Sequence, residues 1–338
     1  MNKIILSQYS KDKWNAGPKA KTDIEKIISQ YFDTDVITLD TPKNVSVNLL
    51  SRYLFFLKKM FIIRKYAKKN NVVFIQHPFT NQYKLLSNAE HVVCFIHDID
   101  GLRRQDENFL NLELAFLKKC DVLIVHNISM KKYLVEHGVK EEKIFVLEVF
   151  DYLSDLKEVT LKRRSLKENV SLVYTGNLDK APFLFQLDEQ KMRFNLNVYG
   201  IKSKEIKNSK INYKGAFAPN ELYKHIEGDL GLVWDGNLDE SDENLSFKNY
   251  TKYNNPHKLS FYLSVGLPVI VWQKSAISNF IKENNIGYVI NNLYEINDID
   301  FSDYSEKAKN AWEIGQKVRE GYYTKRTVIN ILEYLKNI

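Results

Sequence analysis

Two similar α/β halves, each a parallel sheet covered by helices, are what this sequence predicts, and three observations carry the prediction. Short, continuous apolar runs recur along most of the chain with helical patterns between them. Runs that are apolar on both faces suit strands buried between helix layers. The rhythm breaks once, at the charged stretch Thr160-Leu161-Lys162-Arg163-Arg164-Ser165-Leu166-Lys167-Glu168-Asn169, and then restarts. At 338 residues the chain is also too long for one comfortable core. The expected division is an N-terminal half over residues 1–160, a C-terminal half over 161–322 and a final helix over 323–338. Two such halves facing each other leave a cleft at the strand C-terminal ends, where open parallel sheets bind ligands.

Each element follows in order. Ile4-Ile5-Leu6 is strand-like. A helix starts near Lys19 and runs through Ile28, with Ile24, Ile27 and Ile28 on one face. Asp35–Leu39 reads as a strand, 47–69 as a helical stretch, and Val72–Gln76 and His91–Ile96 as buried strands. Residues 106–118 look helical and Asp121–Val125 extended. Ser129 to His137 is a helix, with Ser129 as N-cap and Gly138 as stop. Lys143–Leu147 closes the first half. In the second half the expected strands are Val170–Tyr174, Phe194–Tyr199, Ile211–Tyr213, Leu230–Trp234, Val269–Trp272 and Gly287–Ile290.

Composition narrows the function classes. Cys94 and Cys120 both lie in or beside apolar runs, so buried thiols are expected rather than a disulfide framework, in keeping with a reducing cytoplasm. Met1–Ser7 reads as a strand and not as a signal peptide, and no apolar run approaches the roughly 20 residues of a bilayer span. The net charge of +7 is compatible with an anionic membrane or a phosphorylated substrate. No zinc-finger or RNP-like motif favours nucleic acid, and no G-x-x-x-x-G-K-[ST] loop favours ATP or GTP hydrolysis.

The most informative stretch runs from Tyr253 to Trp272. It is a polar loop, a short helix, a Gly266-Leu267-Pro268 break and a buried strand. Asn254, Asn255, His257 and Lys258 crowd the helix start with donors, and a helix N-terminus adds unpaired N–H groups and partial positive charge. Together they suit a pyrophosphate. Gly176-Asn177-Leu178-Asp179-Lys180 leaves the first strand of the second half, and Asn177 and Lys180 could reach a diphosphate or sugar; the same residues also make an ordinary capped βα turn. Trp234 could pack on a donor and Asp235 accept from its hydroxyls, or the pair could be a core Trp and a turn-forming Asp-Gly. Polar residues 237–252 suggest a loop that closes over a ligand.

In the first half, His97 and Asp98 end a strand. Either could serve as the general base that deprotonates an acceptor hydroxyl, with Asp98 placed first; a structural histidine and a helix cap are the alternatives. Asp98-Ile99-Asp100 has the spacing of a metal-holding pair, yet lysines and a helix dipole could neutralise a diphosphate, so no metal is expected. Gly17, in Asn15-Ala16-Gly17-Pro18, either approaches a donor or only turns the chain. Residues 49–69 mix aromatic and aliphatic residues with Arg52, Lys58, Lys59, Arg64, Lys65, Lys68 and Lys69. Such a helix is either part of the core or lies on an anionic bilayer.

These stations, in this order, resemble bacterial glycosyltransferases of GT-B architecture. The resemblance is to a group that includes β-1,6-galactofuranosyltransferases of surface-polysaccharide synthesis and the glucosyltransferase that extends GlcNAc on streptococcal serine-rich adhesins. It covers nearly the whole chain and is most specific at Tyr174–Lys180, Tyr253–Lys258, Gly266–Val271 and Arg319–Arg326. It implies a UDP-sugar donor facing Asn177, Lys180, Tyr213, Tyr253, Asn254 and Lys258, and a glycan acceptor, lipid-linked where the membrane helix applies. It also implies a C-terminal helix, from about Tyr323, that crosses back to the first domain. Retaining GT-B enzymes carry a Glu-x7-Glu pair around the helix before the Gly-x-Pro turn; this chain has Lys258 and Ser260 there, which implies inversion. A cytoplasmic homo-oligomer at the inner face of the plasma membrane is the expected setting. The contrasting reading is a non-catalytic partner that keeps the fold.

Overall fold

The computed structural model describes residues 2–8, 16–39, 49–79, 83–156, 166, 170–202, 204–238 and 249–337. Asn15, most of the charged stretch 160–169 and residues 239–248 of the expected loop lie outside them. The chain forms two compact units: Met1–Asp12, Lys21–Leu147 and Tyr323–Ile338 make one, Lys13–Ala20 and Glu148–Tyr322 the other.

The first unit holds β1 (Asn2–Ser7), β2 (Thr34–Thr38), β3 (Asn71–His77), β4 (His91–Ile96), β5 (Val122–Val125) and β6 (Ile144–Val146). All pair in parallel, in the order β2-β1-β3-β4-β5-β6. Every residue of β3 is buried, as a strand covered on both faces requires. Helices α1 (Ala16–Phe32), α2 (Leu49–Tyr66), α3 (Asp100–Arg104), α4 (Glu107–Leu117) and α5 (Ile128–Glu136) connect the strands. Cys94 and Cys120 are buried free thiols.

Two local expectations need correction. Gly17-Pro18 does not turn the chain: both lie in the first turn of α1, where a proline's missing N–H costs nothing. Ser129 is not the cap of α5. Asn127 is, with extended backbone and a side chain that accepts from the Met130 N–H. Gly138, at φ +83°, does end that helix in a left-handed conformation open to glycine.

The second unit holds β7 (Ser171–Thr175), β8 (Asn195–Tyr199), β9 (Ile211–Gly215), β10 (Leu230–Val233), β11 (Val269–Trp272) and β12 (Gly287–Ile290). They too are parallel, in the order β12-β11-β10-β7-β8-β9. The strand order therefore reverses between β7 and β10, the topological switch point at which doubly wound sheets open a crevice for ligands. Helices α6 (Phe183–Gln186), α7 (His257–Ser264), α8 (Ser278–Glu283) and α9 (Tyr304–Arg319) follow, and α10 (Tyr322–Leu335) passes from this unit into the first. Gly231 lets α7 lie close on β10, because a Cβ there would sit 2.3 Å from the Tyr262 ring. Leu172, Phe183, Leu196, Leu232, Trp234 and Ile270 anchor one core cluster.

Candidate functional site

At the β7/β10 switch point a lysine is locked between two strand ends. Lys258, in the first turn of α7, donates to Asp235 Oδ1 at 2.8 Å, to the Trp234 carbonyl at 3.0 Å and to the Tyr174 hydroxyl at 3.2 Å. Its Nζ also lies 4.4 Å from the centre of the Tyr174 ring. An ammonium has three N–H donors, so all three are committed to the protein. Burial works against the charge, but Asp235 and then Tyr174 outweigh it and hold the lysine above its ordinary range. One turn on, the buried Tyr262 hydroxyl accepts from the Thr175 N–H at 2.9 Å. Burial raises both phenols, so they stay protonated. The end of β7, the tip of β10 and the start of α7 are thereby fixed as one piece.

The donor-rich helix start is organised differently from the sequence expectation. Asn255 is buried and gives its amide to the Glu148 carbonyl at 2.5 Å. His257 packs against Tyr152 at 5.3 Å and Phe150 at 6.1 Å between ring centres. Burial, with the nearby Lys19 charge, lowers that histidine to about 3. His257 Nε2 and Asn254 Oδ1 are buried with no hydrogen-bond partner among the described residues. Asn255 and His257 thus fasten α7 to the segment Glu148–Tyr152. Pro256, the N-cap of α7, supplies no side-chain acceptor to the helix N-terminus.

Trp234 is buried in the core and donates its indole N–H to Asn237 at 3.3 Å, so it packs inward. Asp235 keeps 30% of its side chain exposed. In the turn after β7, Asn177 caps the 3₁₀ turn Leu178–Lys180 by accepting from the Asp179 N–H, and both Asn177 and Lys180 are exposed. A Cβ at Gly200 would sit 1.7 Å from the Gly176 carbonyl, so glycine is what lets the β7 and β8 exits touch. Tyr213, on β9, is 43% exposed and donates its hydroxyl hydrogen to the Gly200 carbonyl at 3.1 Å. Tyr253, next to Asn254 in the chain, is half-buried.

The first unit carries a second polar network, at the ends of β3 and β4. His97 Nε2 lies 2.8 Å from Gln76 Oε1. Gln76 Nε2 donates to the Lys21 carbonyl at 3.1 Å and to Glu25 Oε1 at 3.0 Å. A carbonyl can only accept, so the amide orientation of Gln76 is fixed by its partners, and its oxygen must face His97. His97 therefore donates through Nε2, which puts the lone pair of the neutral ring on Nδ1. Burial lowers Lys21 against the pull of Asp98 and raises Glu25 against that of Lys21.

Asp98 is half-buried and accepts from Arg103 at 3.2 Å; the same guanidinium holds Asp100 at 2.5 Å. The Asp-x-Asp pair thus meets in one arginine, and Asp98 caps no helix, since Ile99 is the N-cap of α3. The α3 N-terminus is instead satisfied by Glu113, a buried carboxylate that accepts from the Asp100 and Gly101 N–H groups and bonds His77 at 2.9 Å. Sequence reasoning passed over Gln76, Glu25, Lys21 and Glu113. Gln76 had a signal, the polar end of an otherwise apolar strand. Lys21 and Glu25 had a weaker one, an i, i+4 pair on the face that carries Ile24 and Ile28.

Comparison with known proteins places this geometry. Residues 2–149 match the N-terminal domain profile of glucosyltransferase 3-like proteins, and 172–331 the C-terminal domain profile. The chain is 29% identical, over 98% of its length and 99% of the other's, to the β-1,6-galactofuranosyltransferase WbbI of Escherichia coli. It is 26% identical to glucosyltransferase 3 of Streptococcus parasanguinis, over 77% of this chain and 78% of that one. Among solved structures, HepE of Anabaena in complex with UDP and glucose covers all of both chains at a TM-score of 0.61 and 12% identity, which places the fold in the GT-B class.

Proposed function

The chain belongs to the glucosyltransferase 3-like family of glycosyltransferases, and from that premise we propose that it moves a hexosyl group from a UDP-sugar to a hydroxyl of a glycan acceptor, with inversion and without a metal ion. Galactofuranose, glucose and galactose are the candidate sugars. The observation that carries the reading is the uncapped α7 N-terminus at the β7/β10 switch point, tied by Lys258 to the β10 tip. The amides there meet the diphosphate, aided by the exposed Lys180 and by Asn177, Tyr253 and Asn254. Tyr213 and Asp235 face the rest of the donor, with Asp235 accepting from sugar hydroxyls. Lys258 spends its donors on Asp235, Trp234 and Tyr174, so it acts as a positioning residue.

His97 is the base in this reading, ahead of Asp98. Its Nδ1 takes the proton of the acceptor hydroxyl as that oxygen bonds to the anomeric carbon. The bond to UDP breaks with its electron pair going to the leaving phosphate oxygen, where charge grows and the helix amides stabilise it. Asp98 is a weaker candidate because its carboxylate is engaged by Arg103. The acceptor is a glycan of surface-polysaccharide or glycoprotein synthesis, presented from the cytoplasmic face and carried on a lipid in the membrane case.

Titration of the protein with UDP, followed by a UDP-sugar screen for hydrolysis and thermal shift, tests the reading. Binding should raise stability by about 2.7 kcal/mol at a hundredfold excess over Kd. No heat at saturating UDP would leave only the non-catalytic partner.

A further inference from the structure

Helix α2 presents its most apolar side to water. Leu50, Tyr53, Leu54, Leu57 and Phe61 are 65%, 58%, 56%, 41% and 71% exposed. Their spacing, i, i+3, i+4, i+7 and i+11, puts them on one stripe, and the same stripe continues into the exposed Arg64, Lys65 and Lys68. The opposite side is apolar too, with Ile63 and Ala67 buried against the unit. A helix apolar on both sides belongs within a core or against lipid, and among the described residues this one packs on a core on one side only.

We propose that the outward stripe of α2 docks the protein on an anionic lipid bilayer, with the helix lying in the headgroup plane. Charge selects this occupant. The segment Leu49–Tyr66 contains Arg52, Lys58, Lys59, Arg64 and Lys65 and no acidic residue. Lys59 is turned inward, to Gln8 at 2.6 Å, whereas Arg64, Lys65 and Lys68 are exposed along the stripe. A second copy of the same face would set cation against cation, whereas an anionic headgroup layer supplies the missing sign. Just beyond the helix, Arg64, Lys68 and Lys69 line an open groove with Ser87, Asn88 and Glu90, a place for headgroup phosphates next to the apolar stripe. No described helix is long and apolar enough to cross a membrane, and five basic residues in α2 fit the interface rather than the interior. The proposal is independent of the donor-site reading.

The test is flotation of the full chain with vesicles of phosphatidylcholine containing phosphatidylglycerol, against phosphatidylcholine alone, at low and high salt. The protein should float with the anionic vesicles and release as salt rises. Leu54→Ser/Leu57→Ser/Phe61→Ser and, separately, Arg64→Gln/Lys65→Gln/Lys68→Gln should each reduce partitioning roughly a hundredfold, at about fivefold per basic residue for the second set. The substituted side chains are exposed, so unfolding midpoints and UDP binding should not change. Phe61→Trp should report a blue shift on vesicle binding. Failure of the wild-type chain to float, or equal flotation of the variants, would overturn the proposal. A concentration-dependent dimer that the triple serine variant abolishes would assign the stripe to a second copy instead.

Discussion

The polar networks of the two units each join a lysine to a carboxylate, yet their lysines shift in opposite directions overall. In the second unit Lys258, Asp235, Tyr174 and Tyr262 are locked: lysine held charged by its partners, phenols held protonated by burial. In the first unit burial pushes Lys21 down and Glu25 up, each toward neutrality, and Gln76 passes a hydrogen-bond direction from Glu25 to His97. The first pattern keeps its lysine and phenols in their ordinary protonation states, whereas the second weakens the charge of both its lysine and its carboxylate. In the proposed reading the second unit's network serves the donor and the first unit's the acceptor proton.

The largest effect that would break this contrast belongs to His97. His97→Ala should reduce transfer by about 10²- to 10⁴-fold, the usual worth of general base catalysis, while UDP affinity changes less than about twofold. Asp98→Asn should cost about tenfold at most, through Arg103 and Lys21. The ranking is read from single-turnover rates. If Asp98→Asn abolishes transfer and His97→Ala does not, the base assignment goes back to the carboxylate.

Next comes Lys258. Lys258→Met leaves Asp235 as an unpaired, partly buried anion, so UDP affinity should fall about 10- to 100-fold and stability by about 2–3 kcal/mol, below a fully buried pair because Asp235 is partly solvated. Lys258→Met/Asp235→Asn restores neutrality and should recover most of the UDP affinity, while kcat stays low. A lysine that bonded the diphosphate directly would give no recovery. The double variant, titrated with UDP, therefore separates positioning from direct contact.

How much of this was readable in the chain differs between fold and site. The twelve strands of the described residues were legible, most of them because runs such as Val72–Ile75 and Val269–Trp272 are apolar on both faces, as buried parallel strands require. Strand order was not, since a pairing of β1 with β3 as well as with β2 leaves no local mark. The switch point, and with it the meeting of Lys258, Asp235 and Tyr174, came only from the structure. Lys258 and His97 were legible as positions at element ends, but their partners were not. The i, i+3, i+4 stripe of α2 looks the same whether it faces a core or water, and burial alone distinguishes them. His257 and Asn255 were read as ligand donors because composition counts donors and cannot see that one packs on Tyr152 and the other bonds Glu148.

Gln76 sharpens the comparison at a smaller magnitude. Gln76→Leu removes the acceptor that fixes the His97 tautomer, so kcat should fall about tenfold with the donor KM unchanged. The Glu25 carboxylate left without that N–H should cost about 1–3 kcal/mol of stability. Gln76→Asn, too short to bridge, should behave alike. The decisive readout is the pH–rate profile. A purely structural Gln76 would lower stability and leave the profile unmoved, whereas a positioning one shifts the limb that reports the base.

The last effect leaves turnover aside and falls on acid stability, to which each unit contributes one histidine. Burial holds His126, in the first unit, at about 4 and His257, in the second, at about 3, both below the ordinary 6.5. Below the ordinary value the unfolded chain binds the proton and the folded chain does not, so stability falls as pH drops, by up to about 1.4 kcal/mol per pH unit for each histidine. The loss from His126 is complete near its folded value and that from His257 continues lower. Glu25 works in the opposite sense, because burial raises its carboxyl and the folded chain then takes the proton first. Urea midpoints between pH 7 and pH 4 for His126→Gln, which keeps an N–H for the Ile96 carbonyl, and for His257→Phe, which keeps a ring against Tyr152, isolate the two slopes. Each variant should flatten the acid limb of its own unit, and parallel curves for variant and wild type would mean that neither ring is held neutral by its burial.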